Sequence, residues 1–259
     1  MKKLLIALVV LSTGSIVSRA QEVTVDDIVN GYLEATGGVK NWEAIKGAKI
    51  ESVLKYQSME MPMISYEFDN GVTYQKVNFQ GKDIVIMAFD GQTGWRTNFM
   101  NLKAEKLDNE TVENLKRMSK DFPNPFLHWK NKGYKVTLEG EEEIDGVKTY
   151  VLKVDKGTVL INGQEKPNIE YWYFETENFV PLMSKSFNTM EGPMAGKAME
   201  RYYSNYDVAG ELYIPYEITT KVDGQVVSSM TIKRFEVNPP FDSTMLQMPQ
   251  DTSDTSPDK

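Results

Sequence analysis

Residues 82–98, KDIVIMAFDGQTGWRTN, read as a strand, a tight turn and the start of a second strand. Side chains alternate along an extended chain, so Ile84, Ile86 and Ala88 are expected on one face and Val85, Met87 and Phe89 on the other. Both faces are apolar, and a strand of that kind has to be covered on both sides, by a layer of the fold or by something bound. Asp90-Gly91 and Thr93-Gly94 supply turn chemistry, and Trp95 restarts the chain with a large aromatic. The stretch predicts the central hairpin of a curved antiparallel sheet. What occupies its concave side then decides the function.

Upstream, residues 48–57, 61–68 and 72–79 keep the two-residue alternation of strands. Asp69-Asn70-Gly71 and Gln80-Gly81 are short connections, which predicts neighbouring hairpins. Downstream, 134–142 and 147–154 flank Asp145-Gly146, and 169–175, 180–188, 198–206, 214–222 and 225–237 follow, with Asp223-Gly224 as another hairpin turn. Two longer intervals, 156–167 and 189–197, are expected as rim loops. Helical spacing appears over 24–36, where Val25, Ile28, Val29, Tyr32 and Leu33 form one stripe. Thr24 with Asp27 makes a capping-box start there, and Gly37-Gly38 a stop. A short helix is expected over 41–45 with Trp42 and Ile45 inward, and another over 109–120, ended by Pro123 and Pro125. The pattern describes one mainly β (α+β) domain over residues 21–249. Its expected form is a half-open antiparallel β-barrel of roughly 10–12 strands with covering helices.

The ends of the chain read differently. Lys2-Lys3, an unbroken apolar run over 4–11 and the small residues around Ser18-Arg19-Ala20 make residues 1–20 a secretory signal peptide, too short in its apolar core to span a bilayer. The polar residues 250–259 are expected as a disordered tail. The 259-residue chain contains no cysteine, which excludes disulfides, thiol catalysis, thiolate metal sites and an N-terminal lipid-anchoring cysteine. The expected compartment is the bacterial periplasm. A formal net charge of −8, more negative still without the leader, disfavours nucleic acid and anionic membrane surfaces as partners.

Catalytic chemistry has little to stand on. The single histidine, His128, sits in Phe126-Leu127-His128-Trp129, and no Gly-x-Ser-x-Gly elbow or Gly-rich phosphate loop accompanies it. Glu141-Glu142-Glu143 beside a hairpin turn reads as a solvated face rather than a cation site. No catalytic residue, metal site or cofactor is therefore expected. Methionine is more informative, with 14 in the chain. Met59, Met61 and Met63 alternate, so they share a face in an extended segment. Thioethers at that spacing could hold Cu(I), but without a histidine or cysteine nearby an adaptable apolar strand face is the better reading. Met87, Met183, Met190, Met194 and Met199 could extend such a surface. Aromatics form a second constellation in Tyr171-Trp172-Tyr173-Phe174, Tyr202-Tyr203 and Tyr206. An ordinary core remains the default for any one of them, and the expectation of a cavity rests on the number of strands apolar on both faces.

Several short motifs, in order, resemble a known family. They are Ala35-Thr36-Gly37-Gly38 followed by Trp42-x-x-Ile45, then Ala88-Phe89-Asp90-Gly91-x-Thr93-Gly94-Trp95. Tyr173-Phe174-x-Thr176-x-x-Phe179-Val180-Pro181-Leu182, Tyr203-Ser204-x-Tyr206 and Gly210-x-x-x-Ile214-Pro215 complete the set. Together they look like the outer-membrane lipoprotein-sorting proteins of the LolA/LolB-like superfamily, in the form common in Bacteroidetes-type bacteria. That resemblance implies a half-open barrel whose apolar concave face, covered by helices, shields acyl chains of lipoproteins or lipids on the way toward the outer membrane. It also implies acylated lipoprotein or lipid as partner, Lol-type proteins of the inner or outer membrane as donor and acceptor, and work as a monomer. The same fold serves regulatory and interaction modules, which is the alternative. Known carriers tie the lid with an arginine; none aligns here, and Arg96, Arg117 and Arg201 are the candidates. The expected cavity residues are Met61, Met63, Ile84, Ile86, Phe89, Trp95, Tyr150, Leu152, Trp172 and Phe174, with the 24–36 and 109–120 helices as cover.

Overall fold

The computed structural model describes residues 22–187 and 196–250. The expected signal peptide, all but the first residue of the expected tail, and Met190 and Met194 lie outside them. Among the described residues thirteen antiparallel strands form one sheet. The first series, β1 (Gly47–Tyr56), β2 (Met59–Phe68), β3 (Thr73–Phe79), β4 (Lys82–Phe89), β5 (Gly94–Thr97) and β6 (Ala104–Lys106), meanders from the sheet's middle to one free edge. The second begins at the other edge with β7 (Lys135–Ile144) and continues through β8 (Val147–Ile161), β9 (Gln164–Glu175), β10 (Pro181–Phe187), β11 (Ala198–Ala209), β12 (Leu212–Val222) and β13 (Gln225–Val237). β1 pairs with β13 from Ala48 opposite Val237 to Tyr56 opposite Ser228, which joins the two series. β6 and β7 stay unpaired with each other, so the barrel is half-open.

Two features depart from the expected strand pattern, one adding a strand and the other lengthening two. The short β5 and β6 close around residues 98–103. Residues 156–167, expected as a rim loop, are instead the far end of the β8–β9 hairpin, with pairing from Thr158 opposite Pro167 to Ile161 opposite Gln164. The left-handed turn residues Asn162 and Gly163, at φ of 53° and 71°, reverse the chain there, as two-residue hairpin turns require.

The opening stretch also departs from simple alternation. Against β3, Val85 faces Lys76 and Met87 faces Gln75, so Ile86 is an extra residue in a β-bulge. The bulge reverses parity within the strand. Ile84, Met87 and Phe89 end on one face, and Val85 and Ala88 on the other.

Helix α1 (Val25–Ala35) starts as the sequence indicates: the Thr24 hydroxyl accepts from the Asp27 amide at 3.2 Å, and the Thr24 amide donates to the Asp27 carboxylate at 2.9 Å. Gly37 and Gly38, at φ of 123° and 84°, end it in a conformation that favours glycine. The short α2 (Val39–Glu43) follows directly. Ile28, Val29, Tyr32 and Leu33 of α1 enter the main core with Leu152, Val154 and Phe174 of the sheet and Phe126 of the 122–134 segment. Helix α3 (Asn109–Met118) bridges the two free edges in sequence. It is fixed to the β8–β9 hairpin by a two-way contact in which Asn114 donates to the Leu160 carbonyl at 2.8 Å and accepts from its amide at 2.9 Å.

After β13 the chain crosses the convex side of the first series. Phe241, Met245 and Leu246 cover Tyr66, Tyr74, Ala88 and Trp95 there, and the Trp95 indole donates to the Leu246 carbonyl at 2.8 Å. The second apolar face of the opening stretch is thus covered by the chain's own C-terminal segment.

Candidate functional site

Residues directly paired across a ladder share a face, so the register maps the concave side strand by strand. One row runs Tyr203–Ile218–Met230–Leu54–Met61, and the next Ile232–Ser52–Met63–Val77–Ile84. A third runs Phe235–Ile50–Ser65–Gln75–Met87, and a fourth Ala48–Glu67–Thr73–Phe89. The first two rows are apolar apart from Ser52 and the Tyr203 hydroxyl, which bonds Ser184 at 2.7 Å. Met61, Met230, Leu54 and Ile218 of the first row and Met63 of the second are half-buried and still meet solvent, whereas Ile232, Ser52, Val77 and Ile84 of the second row are buried.

The other half of the concave side is filled. Phe126 sits edge-on to Trp172 and Phe174, with ring centroids 5.3 and 5.2 Å away, and Tyr32 of α1 reaches Phe174 at 5.4 Å. Tyr32 accepts at its hydroxyl from Asn124 at 2.8 Å, and Tyr150 stacks on Phe179 at 6.2 Å. Behind the ring cluster Lys156, nearly inaccessible, bonds both Asp121 and Glu170 at 2.7 Å. Tyr134 donates to the same Asp121 at 2.7 Å, and Trp172 donates to Glu170 at 2.9 Å. Lys132 donates to the Asn124 carbonyl at 2.6 Å, and burial lowers its pKa to about 8. The 119–134 segment is therefore a plug, held by buried charges and filled with rings.

The ten expected cavity residues divide accordingly. Met61 and Met63 are half-buried on the floor, Ile84 is buried on the row of Met63, and Phe89 is buried beyond Thr73. Tyr150, Leu152, Trp172 and Phe174 share the concave face and pack into the main core with the plug and α1, Leu152 and Phe174 fully buried. Ile86 occupies the bulge, so its side chain has no ladder partner. Trp95 is a correction: opposite Ala88, it belongs to the convex cluster beneath the C-terminal segment. A concavity of about 570 Å³ opens there, with Ile84, Val85, Trp95, Leu102, Ala104 and Met248 in its wall. Another of about 680 Å³ lies beside α1 among Glu34, Glu175, Phe179, Tyr206 and Tyr213.

Charged candidates separate as well. Arg117 on α3 makes a two-pronged pair with Glu165 at 2.7 and 2.8 Å and reaches the Thr158 carbonyl at 3.0 Å, tying the helix to the far end of the β8–β9 hairpin. Its hydrogen bonds hold the Glu165 carboxyl at about 2. Arg201, opposite Thr220 and Ser184, faces the concave side. His128 is half-exposed and bonds Glu43 at 2.7 Å, joining the plug to α2. Among the described residues no group of three acidic or histidine side chains gathers as a metal site, and no helix is long and apolar enough to cross a membrane. Sequence reasoning missed the plug and the convex cover. Their signals were present in Phe126 beside Leu127 and in Phe241 with Met245 and Leu246, but neither stretch carries a period that names its partner.

No family model and no curated protein matches this sequence. Among solved structures, a LolA superfamily protein from Nitrosomonas europaea is similar over 87% of this chain and 98% of its own length, at 13% identity and a TM-score of 0.52. A DUF1329 family protein from Desulfovibrio piger is more distant, covering 81% of this chain and 92% of its own at 10% identity and a TM-score of 0.44. The first likeness, together with the half-open thirteen-strand sheet and the helix packed into its concave side, shows that the chain has a LolA-like fold.

Proposed function

We propose that the protein is an exported, non-enzymatic lipid-binding chaperone of the periplasm, which shields acyl chains of lipoproteins or lipids against the concave floor and carries them toward the outer membrane. The observation that carries this reading is the pair of apolar rows through Met61 and Met63. They form a greasy surface on which the unbranched, adaptable methionines Met61, Met63 and Met230 stay half-buried while Ile232, Val77 and Ile84 are buried beside them. Each methylene removed from water contributes roughly 0.8 kcal/mol, so even a half-enclosed chain of about 12 carbons gains several kcal/mol after the cost of ordering it. The plug bounds the floor on one side and gives it depth without sealing it. Release then needs movement of a ligand along the floor rather than unfolding of a core.

The test is extraction of protein purified from a periplasm into organic solvent, followed by mass spectrometry of the extract. About one acyl species per chain is expected, and its loss in Met63→Glu, which charges the floor. Protein that comes out empty from every preparation would sink the carrier reading. A second reading, a module that binds a partner protein, draws on residues 98–103. Phe99, Met100 and Leu102 stand exposed at that loop, Met100 at 94%. Stable capture of one protein partner by an empty barrel, lost in Met100→Ser, would favour it.

A further inference from the structure

The concave floor is not apolar throughout. From the Met63 row onward, five polar side chains adjoin on β1, β2 and β3: Ser52 opposite Met63, then Ser65 opposite Ile50 and Gln75, then Glu67 opposite Ala48 and Thr73. Among the described residues none of the five makes a side-chain hydrogen bond, although Ser52 and Ser65 are both buried. Ser52 is the sharpest case. It is 4% exposed, its oxygen is out of contact with solvent, and it has no partner. A buried hydroxyl left unpaired is destabilising, and a strand face offers many apolar alternatives at such a position. Elsewhere the chain satisfies its buried polar groups carefully, as Thr36, Asn114, Asn124 and Thr149 all show. Burial pushes the Glu67 carboxyl pKa upward, toward the neutral form that can donate a hydrogen bond.

We propose that this band holds the polar head of an ester- or amide-linked acyl chain, with Ser52, Ser65 and Gln75 donating to its carbonyl and Thr73 and Glu67 continuing the band beyond it, while the hydrocarbon part lies on the methionine rows. Four of the five supply donors in any protonation state, which suits a carbonyl acceptor. Ser52 lies in the row of Met63 and Val77 and Ser65 with Gln75 one row further on, within reach of a carbonyl at the head of a chain running across the rows. The ligand class follows: acyl groups in ester or amide linkage, as in a glycerolipid or an acylated N-terminus, in preference to chains joined through an ether. This rests on the acyl-carrier reading above.

The experiment measures displacement of N-phenyl-1-naphthylamine from the full-length mature protein by two matched ligands, 1-dodecanoylglycerol and 1-O-dodecylglycerol, which differ only in the carbonyl oxygen. An N-alkyl dodecanamide distinguishes amide from ester linkage. The wild type should bind the ester roughly tenfold tighter than the ether, the worth of one or two well-placed hydrogen bonds. Ser52→Ala with Gln75→Leu should erase that preference while leaving ether affinity and the urea midpoint unchanged or higher. Met63→Glu should abolish binding of both. Equal binding of ester and ether by the wild type, or equal weakening of both by the double variant, overturns the carbonyl site and leaves the carrier reading standing. Failure of both ligands and the probe to bind overturns both.

Discussion

The two halves of the concave side start from the same strand chemistry and finish differently. On β8 and β9 the inward residues are Leu152, Trp172 and Phe174, and they meet Tyr32 and Phe126 in edge-on and tilted ring contacts. On β1, β2 and β13 they are Leu54, Met61, Met63 and Met230, which stay half-buried and outside the main core cluster. Rings have few rotamers and specific contact geometry, so they define a rigid core. Methionines have three rotatable bonds and tolerate varied neighbours. The difference teaches that a half-open barrel can place stability in one half and adaptability in the other while keeping one continuous sheet.

The comparison predicts unequal responses to truncation. Phe126→Ala should lose about 3–5 kcal/mol in urea unfolding, whereas Met63→Ala on the half-buried floor should lose roughly 1–2 kcal/mol. Equal losses would erase the division between the halves. Lys156→Met should come next, at roughly 2–3 kcal/mol, because it leaves Asp121 and Glu170 facing each other without their cation. The value lies below that of a fully buried pair because those carboxylates remain 29% and 19% exposed. Hydrogen exchange should show opening confined to 119–134, and opening that spreads to β1 and β2 would join the two halves into one unit. Trp95→Phe, which keeps the ring on the convex side but removes its bond to Leu246, should lose about 1 kcal/mol. Faster exchange over 241–250 is expected without any change in acyl binding.

The smallest effect concerns pH. The Glu165 carboxyl titrates at about 2 in the folded chain against an ordinary 4.5, so its pairing with Arg117 is fully present above about pH 4.5 and is lost as pH falls through about 2. Because the pair is solvent-exposed, the change should appear as local exchange at α3, with the floor undisturbed. Glu165→Gln should abolish that pH dependence of α3 exchange. A variant that still shows it would place the titrating group elsewhere.

Much of the fold was legible in residues. Thr24, Asp27 and Gly37-Gly38 bound α1, because capping and left-handed stops are local chemistry. The Gly-containing turns of the β7–β8 and β12–β13 hairpins marked their connections for the same reason. The candidate site was less legible. Trp95 reads like a cavity residue until the ladder sets it opposite Ala88 on the convex side, and the strand 82–89 reads as strictly alternating until Ile86 bulges out. Both depend on register, and one extra residue reverses every face beyond it.

By itself the sequence determined the class of the protein: a meander of antiparallel strands with a capped leading helix, apolar on both faces and free of cysteine. Those properties follow from short-range periodicity and turn chemistry, which any reading of neighbours in the chain recovers. Only the tertiary structure decided which apolar face became core and which stayed open. Phe126, Trp172 and Tyr32 lie far apart in sequence, and their meeting depends on how the sheet curves and where the 119–134 segment enters it. Burial is a property of what arrives from a distance, and no local pattern encodes its arrival.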